Sequence, residues 1–170
     1  PNANTVNNVV HSGKGTTLDF TYGRCLIARK PLSFAIELPV MYNPDVDMNF
    51  GLNQVPSQYS SIFITPAAHI SLWRDSLFSP WGSFGGGFGH FEASSDLVFG
   101  GDNPGHRVKN TGALHWGVGL DIALPWKRFR SFAGRFELRD NWTAVAPLNV
   151  TSGQTRQNNL YFGGGLVFRF

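Results

Sequence analysis

The chain has 170 residues, with 14 Lys or Arg against 11 Asp or Glu and a formal net charge of +3. That length suits one domain, 1–170, with room for a substantial core, and basic residues so scattered exclude a nucleic-acid binder. The lack of any apolar run of about 18 residues excludes a transmembrane helix, and the lone Cys25 excludes an intrachain disulfide. Phe 15, Trp 5, Tyr 4 and Gly 20 favour β structure, because aromatics pack on pleated surfaces and glycine serves turns and crowded interiors. With no initiator Met or leader pattern, Pro1 is expected to begin a processed or trimmed chain.

In chain order, Asn2–His11 is polar apart from Val6, Val9 and Val10, and Ser12–Gly15 reads as a tight turn. From Thr16 to Ala28 the residues alternate, with Leu18, Phe20, Tyr22 and Leu26 on one face, Arg24 interrupting it, and Asp19 and Cys25 opposite. Such a period of two means an extended strand. Leu32–Tyr42 follows a turn at Arg29–Pro31, and its Pro39 requires a bulge near a rim. Asn43–Tyr59 reads as a long loop, Ser60–Leu72 as a strand, Trp73–Pro80 as a short connection and Trp81–Glu92 as a strand. After the loop Ser94–Asn110, Thr111–Leu124 alternates most cleanly of all. Pro125–Arg128 turns the chain into Phe129–Trp142, and the loop Thr143–Gln157 leads to the last strand, Leu160–Phe170. That strand sets Phe162, Leu166, Phe168 and Phe170 on one face against glycines, Tyr161, Val167 and Arg169.

Two regularities follow. Connections alternate short and long, and each strand reaches the roughly 9–11 residues that a tilted strand needs to cross a bilayer. Large apolar residues occupy one face continuously, while the other collects small residues with Asp19, Glu37, Asp121, Arg135, Glu137, Arg139 and Arg169. The small and charged set suits a narrow lumen. The pattern therefore predicts an all-β, antiparallel up-and-down β-barrel, apolar outside, with a polar lumen plugged by paired charges. Seven strands lie in the barrel body, residues 16–170. The segment 1–15 supplies an eighth strand in cis or in trans, or leaves one to be supplied; its two faces are both too polar for good lipid contact.

Other constellations have blander readings. His90, Glu92 and Ser94 near a rim, with Asp45, Asp47 and His106 in loops, read as solvated side chains rather than a hydrolase. His69 and His115 read as hydrogen-bonded lumen residues without metal-ligand spacing. Gly85–Gly87 makes room for crowded lumen neighbours. Trp73, Trp81, Trp126 and Phe129 gather at the short-turn end and Tyr42 and Trp142 at the other, as aromatic girdles would, although parity puts Trp73 and Trp81 on the lumen face. No cofactor and no metal are expected.

The stretches Tyr59–Pro66, Ser79-Pro80-Trp81 with Gly85–Gly87, Asn103-Pro104-Gly105, Asn110-Thr111-Gly112 and the terminal Phe168-Arg169-Phe170 carry a resemblance. Together they resemble small outer-membrane β-barrel proteins of the OmpA/OmpX-like, porin-superfamily kind, nearest to uncharacterised members from acidobacterial-type bacteria. The resemblance implies a barrel scaffold in the bacterial outer membrane or cell surface, and an assembly role for the aromatic C-terminal strand. The expected function is a non-enzymatic structural scaffold whose apolar belt meets the lipid bilayer. The alternative is an extracellular filament or tube in which neighbouring copies cover the belt, a homopolymer joined through residues 1–11 with Val6, Val9 and Val10 in an inter-subunit strand. A narrow pore and a loop-borne hydrolase rank below these.

Overall fold

The computed structural model describes residues 11–49, 55–124, 131–146 and 155–170, with the backbone alone at 11–14 and 49. Every described element is a strand: β1 His11–Gly15, β2 Leu18–Arg29, β3 Leu32–Asn49, β4 Gln58–Ile64, β5 Ala67–Leu72, β6 Phe78–Ala93, β7 Val108–Ala123, β8 Phe132–Thr143 and β9 Gln157–Phe168. All belong to one antiparallel sheet.

The nine strands fill seven positions in the wall. β1 and β2 are successive parts of one position, since both pair with β3, β1 at Met48 and Asn49 and β2 from Leu32 to Tyr42. β4 and β5 are likewise two parts of one position between β3 and β6. From there the order β6-β7-β8-β9 is a simple meander. Laid flat, β2 and β8 would be five spacings, roughly 24 Å, apart. Yet Arg139 Nε on β8 lies 3.3 Å from Asp19 Oδ2 on β2. The sheet is therefore curled into an up-and-down barrel wall with side chains meeting inside it.

The polarity follows the alternation. Phe136 is 54% exposed and Phe162 83%, whereas Asp121 is 4% exposed and Arg139 1%. Large apolar side chains point outward from every wall position, among them Phe20, Ile36, Ile70, Phe84, Leu114, Phe136 and Phe168.

Four local expectations need correction. Ser12–Gly15 is not a turn: it lies in β1 and runs on toward β2 through a register shift between Ser12 and Gly15. A hairpin at that point returning Asn2–His11 along β2 is thereby removed; residues 1–10, with Val6, Val9 and Val10, lie outside the described residues. Asn43–Asn49, with Asp45 and Asp47, continues β3 rather than opening a loop, because a register shift between Asn43 and Val46 turns Val46 and Met48 into the interior. Ser60–Leu72 breaks at Thr65-Pro66. Pro39 has no rim bulge; it sits opposite that break, across from Thr65 with Pro66 one residue further on, so two residues lacking an N–H fall together at one point of the ladder. Thr65 N donates to Pro39 O and Gly86 N to Pro66 O, which satisfies both carbonyls.

Candidate functional site

The barrel interior is built in two storeys, and the lower one holds the charges. Asp121 on β7 stands opposite Arg135 on β8 and accepts a two-pronged pair from it, Nε to Oδ1 at 2.8 Å and Nη2 to Oδ2 at 3.0 Å. Arg169, just past β9, adds Nη2 to Oδ2 at 3.1 Å, and its Nη1 donates to the Arg74 carbonyl in the β5–β6 turn. Arg139, on the same face of β8, answers three carboxylates: Glu37 at 3.2 Å, Glu137 at 3.0 Å and Asp19 at 3.3 Å. All seven charged residues expected in the lumen are thus joined there. Paired arrangements of this kind are what make buried ions tolerable, since desolvating one alone costs several kcal/mol.

Trp81 ties the two clusters together. Its Nε1 donates to Asp121 Oδ1 at 3.1 Å, and the Arg135 and Arg139 guanidiniums lie 4.5 and 5.2 Å from its ring centre. His69 stacks on its ring at 4.9 Å while Nδ1 meets Glu37 Oε2 at 2.9 Å. The expected place of Trp81 in an outer girdle is therefore wrong. Its parity, opposite to Phe84 and Phe88, was the signal that placed it inside. Trp73 does lie exposed in the turn after β5, at φ 48°, and Trp142 and Tyr42 face outward near the long-loop end. Trp126 and Phe129 lie outside the described residues.

The upper storey, toward the long loops, is apolar where small and charged residues were expected. Met41, Val46, Met48, Val55, Tyr59, Phe63 and Phe91 form a buried cluster, with Phe63 and Phe91 edge to face at 5.6 Å. Tyr161 of β9 packs on Phe63 and accepts from Asn43 Nδ2 at 2.9 Å. The lumen is stoppered by aromatics above and ion pairs below. Gly85 and Gly87 stand against the Thr65-Pro66 break, where a β-carbon would strike the Pro66 or Ile64 carbonyl oxygen. Both glycines thus make room at a crowded point of the wall, where the nearest neighbours are backbone atoms of the break and, beside Gly85, the Ala67 β-carbon.

Between the storeys, His115 Nε2 lies 3.3 Å from Ser83 Oγ and its Nδ1 3.1 Å from Asn141 Oδ1. The order is that of nucleophile, base and orienting group. However, Arg139 Nη1 also lies 3.3 Å from the same Nε2, so the nitrogen that would accept the serine proton already faces a cationic donor. The arrangement is suited to joining β6, β7 and β8 rather than to proton transfer.

At the rim, His90 Nδ1 pairs with Asn110 Oδ1 and Ser94 Oγ donates to the Asp96 carbonyl, so these two are engaged separately. Asp47 accepts from Gln58 Nε2 across the β3–β4 pair. Among the described residues no group of three or more His, Cys, Asp or Glu side chains is placed to hold a metal ion. The outer ends of the C-terminal strand, Phe162, Leu166, Phe168 and Phe170, all project away from the lumen.

Together these features define a class of architecture, an inside-out antiparallel barrel with a plugged interior. Comparison of the chain with protein-family models, curated proteins and solved structures finds no match to any of them.

Proposed function

We propose that the chain is a non-enzymatic structural barrel of the outer-membrane type, its apolar belt in lipid and its long loops at the outer rim of a bacterial cell envelope. The observation that carries this reading is the belt itself. Side chains such as Phe20, Ile36, Phe84, Phe136 and Phe162 stand exposed around the wall while the ionised residues turn inward. Each large apolar side chain left in water forgoes roughly 1.5–3 kcal/mol, and no soluble monomer gains from displaying a ring of them. Strand lengths of 12 to 18 residues in β2, β3, β6, β7, β8 and β9 suffice for a hydrocarbon core crossed at a tilt. The stoppered interior favours a scaffold over a pore. An aromatic C-terminal strand facing outward fits the resemblance to OmpA/OmpX-like barrels.

The test is flotation. Chain refolded from urea into lipid vesicles is expected to float with them through a density gradient and to resist carbonate extraction. Recovery as a monodisperse species in buffer without detergent or lipid overturns the membrane reading.

A second reading keeps the barrel and replaces lipid by neighbouring copies in an extracellular filament. What favours it is that β2 and β9 each have a single ladder partner among the described residues, and free strand edges template pairing between chains. Long particles sedimenting without detergent would select it.

A further inference from the structure

Arg24 and Arg29 break the polarity of the wall. Both stand exposed on the outer face of β2, where β3 sets the belt residues Ile36 and Leu32 opposite them. A register shift between Cys25 and Ile27 separates them and turns Ile27 outward, opposite Phe34, so the two cations flank an apolar step. The arginines of β8, by contrast, turn inward and are answered by carboxylates. The acids nearest to Arg24 and Arg29 along the chain are committed elsewhere: Asp19 and Glu37 turn inward to Arg139.

A second feature adjoins these cations. The β2–β3 and β5–β6 turns lie side by side, with Trp73 N donating to the Pro31 carbonyl at 2.7 Å and Ser76 N to the Trp73 carbonyl at 2.8 Å. Lys30 and Asp75 link the same two turns at 3.7 Å. Trp73 itself takes a left-handed backbone, φ 48°, which residues other than glycine seldom adopt, and it is 54% exposed. An indole is thereby held at the short-turn end, beside the turn that Arg29 enters.

We propose that the outer face of β2, with Trp73, is a site for one anionic phospholipid of the leaflet at the short-turn end; the site rests on the membrane reading of the belt. Arg29 lies at the turn, level with headgroups. Arg24 lies about 15 Å further along the strand and so about 11 Å deeper at a tilt of about 45°. A cation at that depth is costly unless its stem carries it back toward the headgroups or an anion comes to meet it. A lipid phosphate between Arg24 and Arg29 meets both demands, with acyl chains along Ile27, Phe34 and Ile36. Trp73 adds an N–H donor and an apolar ring at the headgroup level. The headgroup this fits is of the phosphatidylglycerol kind, because the ammonium of a zwitterionic lipid would stand among exposed Arg24, Arg29 and Lys30.

Quenching of tryptophan by brominated lipid tests the site. The chain is refolded into phosphatidylcholine vesicles holding a small fraction of brominated lipid, either phosphatidylglycerol or phosphatidylcholine. The reporter is the part of the quenching that Trp73→Phe removes. Brominated phosphatidylglycerol is expected to quench as if enriched about fivefold or more over brominated phosphatidylcholine, and less so at high salt. Arg24→Gln combined with Arg29→Gln should remove the enrichment, while Lys at both positions should keep most of it, and both variants should float with the vesicles. Arg107→Gln, which removes an exposed cation at the long-loop end, should leave the enrichment unchanged. Equal quenching by the two lipids overturns the proposal, as does an enrichment that survives the double Gln change or falls as far with Arg107→Gln; all three leave the membrane reading standing. Loss of the enrichment in inorganic phosphate at matched ionic strength would assign the cations to free phosphate and overturn the lipid. A chain that enters neither kind of vesicle overturns the membrane reading and this site with it.

Discussion

Arg139 on β8 and Glu37 on β3 lie 3.2 Å apart in the middle of the barrel, on strands 102 residues apart in sequence. The guanidinium is 1% accessible and the carboxylate 4%. A contact this remote and this dry makes the ion pair a tie across the lumen rather than a surface ornament. The same guanidinium reaches Glu137 and Asp19, so three strands converge on one side chain.

Arg139→Ala should therefore be among the most damaging interior changes. It strands three carboxylates in a poorly solvated interior, and breaking a buried pair costs about 3–5 kcal/mol. Urea unfolding in micelles, followed by the fluorescence of the chain's tryptophans, should show a loss of that size. Arg139→Lys keeps the charge but not the fork that spans several carboxylates, and should lose less. Combining Arg139→Ala with Glu37→Gln should recover part of the loss. A double variant as weak as the sum of the singles would mean the two do not act as a pair.

The glycines of β6 give a prediction with an internal control. A β-carbon at Gly87 meets the Ile64 carbonyl and one at Gly85 meets that of Pro66, both backbone atoms that cannot swing aside. Gly87→Ala and Gly85→Ala should each cost about 1–3 kcal/mol through overpacking. Gly134, with nothing within 4 Å of its would-be β-carbon, should accept Ala with no loss or a gain below about 1 kcal/mol. Urea midpoints of the three variants at unchanged slope decide the matter.

The alternation carried most of the architecture in readable form. Leu114, Trp116, Val118 and Leu120 against His115, Gly117, Gly119 and Asp121 fix β7 and its faces because the side-chain period of a strand is two. The seven lumen charges followed from the same parity. Where residue type competes with parity, parity wins. Tryptophan's preference for interfaces argues for a belt position, yet Trp81 keeps its interior parity, and the same parity turns Phe63 and Phe91 inward although most large apolar residues face out. The break at Thr65-Pro66 was hidden because parity continues across it, Ile62 and Ile64 facing out before it and Ile70 after. Cross-lumen pairs such as Asn43 with Tyr161 depend on how tightly the sheet curls, which no local pattern encodes.

Fluorescence can locate the tryptophans. In vesicles with brominated acyl chains, quenching should come from outward indoles, so Trp142→Phe should remove part of it. Trp81→Phe should leave the quenched fraction almost unchanged, since that indole is 5% exposed and held by Asp121 inside the wall. Losing most of the quenching with Trp81→Phe would place that ring against lipid and invert the assigned polarity.

Val118 offers the sharpest distinction between lipid and water around the belt. It lies outward near the middle of β7, between Gly82 of β6 and Leu138 of β8, and is 47% exposed. If the belt lies in a bilayer, Val118→Arg sets a cation at depth in hydrocarbon and should cost about 2–4 kcal/mol of folding stability in vesicles. The charge can be placed instead at Val108, outward at the long-loop end of the same strand and 53% exposed, where Val108→Arg should cost about 0–1 kcal/mol. A soluble wall would tolerate both changes alike, because an arginine on an outward strand face in water has nothing to lose. Equal urea midpoints for the two variants would therefore remove the bilayer from the account while leaving the barrel intact.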